Sequence, residues 1–248
     1  MTVIASTAKV HPRTRPIAGG RRVTAGLLIA GAVAVNLAFL GLGAVFDYPD
    51  VLNKPAAEVL ATFAANQVVI SLWFLLLAAG AGLLAPIAIR VGRLGTSTAL
   101  RISVPVGIAA AVVQVTGLLR WPLLIPGLAA RAGDAGAADT FDAANLWLGT
   151  VLGESIGYAL TATWTVLVAV GLHRSLFRGS MTGRVLLVAG LVSAVLIAAG
   201  IVEPFDVPGA GLANFAGYVV WSGWLVALAV MILRGATPAP ASHTVREV

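Results

Sequence analysis

The chain has 248 residues, 59% of them hydrophobic and only 10% charged, with a mean hydropathy of +0.96. A soluble domain keeps about a quarter of its residues charged, so this composition excludes an ordinary water-soluble globule and points to an all-α integral membrane protein. The net charge of +6 sits at the ends of apolar runs and forms no stripe, which excludes a nucleic-acid surface; the lack of cysteine excludes disulfides, thiolate nucleophiles and cysteine metal sites.

Residues 1–22 hold Lys9, Arg13, Arg15, Arg21 and Arg22 among Thr, Pro and Gly, and are expected to form a disordered cytoplasmic tail. A membrane domain of six helices follows over 23–234. Its first helix, about 23–46, is too long for the apolar core of a signal peptide and is read as retained. After DYPDVLNKP, the stretch PAAEVLATFAANQ places Val59, Leu60 and Phe63 on one face, the pattern of a short interfacial helix between helices 1 and 2. Helix 2 is expected over about 67–89 and helix 3 over about 102–124, with Pro105 in its first turn. The Gly/Ala/Asp-rich stretch before Leu146 reads as a watery loop. Helix 4 then runs over about 146–172, helix 5 over 185–202 and helix 6 over 213–233, before a Pro/Ala-rich tail over 235–248 expected to be disordered.

Charge orients this bundle. With both termini cytoplasmic, thirteen of the sixteen Lys and Arg fall inside, the exceptions being Lys54, Arg120 and Arg131, while of ten acids only Glu247 does. That asymmetry is what the positive-inside rule expects of an even number of spans, and it places the chain in a bacterial plasma membrane. Phe46-Asp47-Tyr48-Pro49 and Phe205-Asp206-Val207-Pro208 echo each other, but three shared letters are ordinary punctuation at an interface.

Arg120 and Glu154 are the charges that interrupt apolar, membrane-length segments. An ionisable group in hydrocarbon is a site hypothesis by default, with a partner to be named. Helices 3 and 4 are sequential and antiparallel, so the two side chains are expected to be neighbours able to form a salt bridge, with Glu154 about 12 Å below the outer boundary. Glu154, Tyr158, Thr161 and Thr165 share a stripe of helix 4; Gln114, Thr116 and Trp121 lie beside Arg120 on helix 3. Together they predict a polar pocket lidded by Trp121 and Trp147, with Arg120, Glu154, Tyr158, Gln114, Thr116, Trp121 and Thr161 as binding residues. Gly149, Gly153 and Gly157 recur every four residues and offer a face to a membrane partner or a second copy. Asn36, Gln67 and Asn214 read as interhelical hydrogen-bond partners, and Trp221 and Trp224 as packing residues.

Other chemistries lack their residues. His11, His173 and His243 lie in cytoplasmic segments, which excludes a bis-histidine haem in the membrane, and no H-E-x-x-H, P-loop or paired intramembrane aspartate occurs. No cofactor, metal or catalytic residue is therefore assigned. FDYPDVLNKPAAEVLATF at 46–63, TGLLRWPLLIP at 116–126 and LGESIGYALTATWT at 152–165 resemble the DUF4386 family of bacterial membrane proteins. The resemblance implies a six-helix integral membrane protein and supplies no activity or site residues. Three roles stay open: binding a small molecule or lipid at Arg120 and Glu154; a structural or partner-binding role in which that pair only fixes packing; and a transporter or intramembrane enzyme.

Overall fold

The structure, a computed structural model, describes residues 18–235; the tails expected to be disordered fall mostly on residues 1–17 and 236–248, outside the described ones. Among the described residues all regular structure is helical, and six helices are long and apolar enough to cross a membrane. In hydrocarbon every backbone N–H and C=O must find its partner within the chain, and a helix satisfies this segment by segment.

The first span is α1 (Ala18–Phe46), which starts five residues before the apolar run and carries Arg21 and Arg22 in its opening turns. A short 3-10 turn (Asp50–Asn53) and α2 (Ala56–Ala65) lead to the second span, α3 (Gln67–Gly82) and α4 (Leu84–Gly92). The break at Leu83 follows from Pro86, which has no N–H to offer the Gly82 carbonyl. The third span is α5 (Thr98–Leu123), continued by α6 (Ile125–Ala129). It starts at the Ser97 cap, whose side chain accepts from the Leu100 N–H, so Pro105 lies inside the helix and not in its first turn.

The fourth span is longer than its apolar run. Helix α7 (Ala135–Ala144), a π-helical segment (Asn145–Ile156) and α8 (Gly157–Ser175) form one helix that is continuous for 40 residues from Gly136. The stretch expected to be a watery loop is thus largely helical, because Asp134 caps α7 through the Gly136 N–H at 2.9 Å and Ala137 and Phe141 are buried. The fifth span, α9 (Met181–Ala199), ends in a 3-10 turn (Gly200–Phe205), and α10 (Ala210–Arg234) is the sixth.

Each span packs on the next in sequence, and the sixth returns to the first, so the bundle closes as a ring. Two buried clusters fill it. One runs through all six spans around Leu100, Trp164 and Trp224. The other fills only the end nearer the α1–α3 and α5–α7 connections, from Phe46 and Phe74 to Trp121 and Phe141. Helix α2 packs here: Val59, Leu60 and Phe63 turn into this cluster and are fully buried. Its apolar face therefore closes the protein's own core. Asp47 and Asp206 both take a left-handed φ of 55° at the ends of helical segments, so their echoed letters mark a shared stop, a conformation Asp tolerates better than most residues.

A candidate site at the acid-rich end of the third and fourth spans

Arg120 lies in the last turn of α5 and is 5% exposed. Its Nη1 donates to the Gly117 carbonyl at 2.7 Å and its Nη2 to Asn145 Oδ1 at 3.0 Å, while the guanidinium carbon stands 5.3 Å from the centroid of the Trp121 ring. The fit is close, since a side chain at Gly149 would begin 2.6 Å from Nη2.

The expected salt bridge is absent. Among the described residues the ion pairs within 4.0 Å join Lys54 to Asp47 at 3.7 Å and to Glu58 at 3.6 Å. Two neutral acceptors reach the guanidinium first, and Glu154 lies nine residues beyond Asn145 along the same helix. Arg120 and Glu154 remain within electrostatic range of each other, but neither satisfies the other by contact.

The other expected site residues separate into two groups. Gln114 Nε2 donates to Thr161 Oγ1 at 3.0 Å and Trp221 Nε1 to Thr165 Oγ1 at 2.8 Å, so the lower half of the helix 4 stripe joins the third, fourth and sixth spans. Thr116 is exposed and bonds back to the Val112 carbonyl at 2.9 Å; a threonine satisfied by its own helix needs no partner across the bundle. Trp121 is no lid. It is fully buried and stacks on Phe74 at 4.7 Å, within an aromatic cluster that includes Phe46, Phe63 and Phe141. Trp147 is 63% exposed and points out of the bundle.

The glycine face is also filled from within. Side chains at Gly149, Gly153 and Gly157 would meet Arg120, the Leu148 carbonyl and Gln114, and a side chain at Gly117 would start 2.7 Å from that same carbonyl. The three glycines let the third span approach the π segment, so they are not a free surface for a partner or a second copy. Asn214 meets the expectation for an interhelical partner by donating to the Ile197 carbonyl at 2.7 Å. Trp221 and Trp224 are buried as expected, whereas Gln67 is exposed at the start of its span.

What remains is a half-buried group whose centre is Glu154. The chain has three tyrosines, and the charge of Glu154 acts on the phenols of all three: Tyr48 from the first connection, Tyr158 one turn along the fourth span and Tyr218 from the sixth. Tyr158 and Tyr218 pack edge to face at 5.8 Å. Glu203, exposed on the turn before α10, acts on the same group. Among the described residues the Glu154 carboxylate and the Tyr48 and Tyr158 hydroxyls make no hydrogen bond, while Tyr218 turns toward Thr161. The polar side-chain atoms that are both shut off and unpartnered are the indole nitrogens of Trp121 and Trp164. The Glu154 carboxylate and the Tyr48 and Tyr158 hydroxyls are not among them, so the protein does not shut them off completely. This mouth lies beside the aromatic cluster, which contains no residue from the fifth or sixth span. Burial first, and then the Glu154 charge, push the Tyr48 phenol up to about 12, so it stays a neutral donor at any physiological pH.

The sequence reading missed Asn145, Tyr48 and Tyr218, each on a different element and none spaced to suggest the others. The one signal in the sequence was scarcity, since the chain has only three tyrosines, and scarcity does not say that they share a neighbourhood. At the opposite end the bundle has a small, partly open cleft of about 10 Å³ beside His173 and Phe177, room for about one water molecule.

Among curated proteins and solved structures no match was found. A family model described as a domain of unknown function, DUF4386, matches residues 23–229, which takes in four spans whole, most of the first and sixth, and every residue of the mouth, and the chain belongs to that family.

Proposed function

We propose that this multi-pass protein binds a positively charged small molecule, or the amine of a lipid headgroup, at the mouth around Glu154. In this reading it lies in the bacterial plasma membrane with both termini cytoplasmic, so the mouth opens to the outside. The observation that carries it is Glu154, a carboxylate without an ion pair or hydrogen bond among the described residues and within electrostatic range of three tyrosines. A carboxylate with tyrosines in its neighbourhood suits an ammonium group, which gains charge attraction from the one and, where a ring faces it, cation–π attraction from the others. The surrounding end favours cations as well. Among the described residues it holds nine acids against Lys54, Arg120 and Arg131, while the other end holds nine arginines and no acid. Such a field concentrates cations at the mouth.

Thermal unfolding of the purified protein titrated with tetramethylammonium, ethanolamine and matched anions tests this. Saturable stabilisation is expected with the cations alone, lost in Glu154→Gln and kept in Glu58→Gln. At a hundredfold excess over the dissociation constant it amounts to about 2.7 kcal/mol. Equal behaviour of Glu154→Gln and the native chain toward every cation would sink the reading.

A second role rests on its own observation. Arg120, bonded to Gly117 and Asn145 and seated against Gly149, braces the π segment whether or not a ligand binds.

A further inference from the structure

The ring of spans closes where the sixth meets the first, and one polar pair lies on that seam. Asn36, well inside α1, donates through Nδ2 to the Ala32 carbonyl at 2.7 Å and to Ser222 Oγ at 2.9 Å. Ser222 is the middle residue of α10. Both amide hydrogens of Asn36 are thereby used. Among the described residues its Oδ1 accepts no hydrogen bond, and the Ser222 hydroxyl donates none. Unlike Asn214, which is buried, Asn36 is exposed, and Ser222 is half-buried beside it.

In water this would be unremarked, but at mid-span the surroundings are acyl chains. A free amide oxygen there costs up to several kcal/mol, and strongly polar side chains in spans face protein. The flanking residues are apolar and outward-facing: Val33 and Leu40 on α1, Val219 and Val226 on α10. Gly223, next to Ser222, has nothing within 4 Å of where a side chain would begin, so a second helix can come close to the backbone there.

The seam thus presents one free acceptor beside one free donor. That makes it self-complementary, the property a two-fold interface requires, because the same patch must serve both sides. A lipid tail offers neither group. We propose that the chain forms a two-fold dimer in the membrane through the outer faces of its first and sixth spans, with the Ser222 hydroxyl of each copy donating to Asn36 Oδ1 of the other.

The chain has no cysteine, so a single introduced one reports its own position. In native-lipid vesicles, Gly223→Cys is expected to crosslink chain to chain under mild oxidation, while Val188→Cys, on the exposed side of the fifth span, does not. Single-molecule photobleaching at increasing lipid dilution should show two-step traces for the unaltered chain. Asn36→Leu and Ser222→Ala should each raise the dimer's dissociation constant about tenfold, with the monomer's unfolding temperature kept as the folding control. One-step traces throughout, crosslinking at Val188→Cys alone, or unaltered dimer strength in both seam variants would each overturn the proposal.

Discussion

The guanidinium of Arg120 occupies a slot cut to its outline, and removing it leaves two acceptors and a hole. Arg120→Ala is expected to cost about 2–4 kcal/mol, because the Asn145 amide and the Gly117 carbonyl lose a charged donor and Trp121 loses its cation. Glu154→Gln should behave differently. The carboxylate holds nothing in place, so its amide is expected to leave stability within about 1 kcal/mol of native, and Glu58→Gln, on an exposed pair, within about 0.5 kcal/mol. Denaturation of the three variants in one detergent measures this. Were Glu154→Gln as damaging as Arg120→Ala, the carboxylate would be a strut, and the binding proposal would lose its ground. Both charges were legible in the sequence as exceptions to an apolar background. Their partners were not, since Asn145 and Tyr48 lie in stretches whose composition reads as loop.

Close packing of the third span on the π segment depends on two glycines with different neighbours. A methyl group at Gly117 meets backbone, the Leu148 carbonyl at 2.7 Å and Gly153 Cα at 2.9 Å, and only separation of the two helices relieves that. At Gly149 it meets the end of the Arg120 side chain, which can shift. Gly117→Ala is therefore expected to destabilise by about 1–3 kcal/mol and Gly149→Ala by less. Gly26→Ala, with open space around it, should be neutral or slightly stabilising. Thermal unfolding of the three variants would show that order, and an inverted order would mean that the helices meet differently. The π geometry was not readable beforehand: residues i+4 and i+5 compete for the same carbonyl, and propensity does not choose between them. The orientation of Thr116 was equally hidden. In a soluble helix, periodicity separates core from solvent, but here lipid and core are both apolar and the contrast vanishes.

At the scale of the molecule, the number of spans was readable because about 20 apolar residues in a row have no other stable fate in a bilayer. Orientation rests on charge and has its own test. In intact cells an impermeant maleimide is expected to label Thr140→Cys, on the acid-rich end, but Thr96→Cys, between the second and third spans, only after permeabilisation. The reverse pattern would turn the protein over. The length of the fourth span carries a last consequence. Counted from Leu172, near the arginine-rich rim, Glu154 stands 18 residues up the helix, at most about 27 Å across a hydrocarbon layer of about 30 Å. An ion that settles there has crossed at least about the final tenth of the electric field, and about four tenths where the layer begins at Leu146, about 12 Å above Glu154. Since full passage is worth about 2.3 kcal/mol per 100 mV, occupancy would respond to membrane voltage by about 0.2–0.9 kcal/mol over that range, so the protein would report chiefly on the surrounding solution and more weakly on the energised state of the cell.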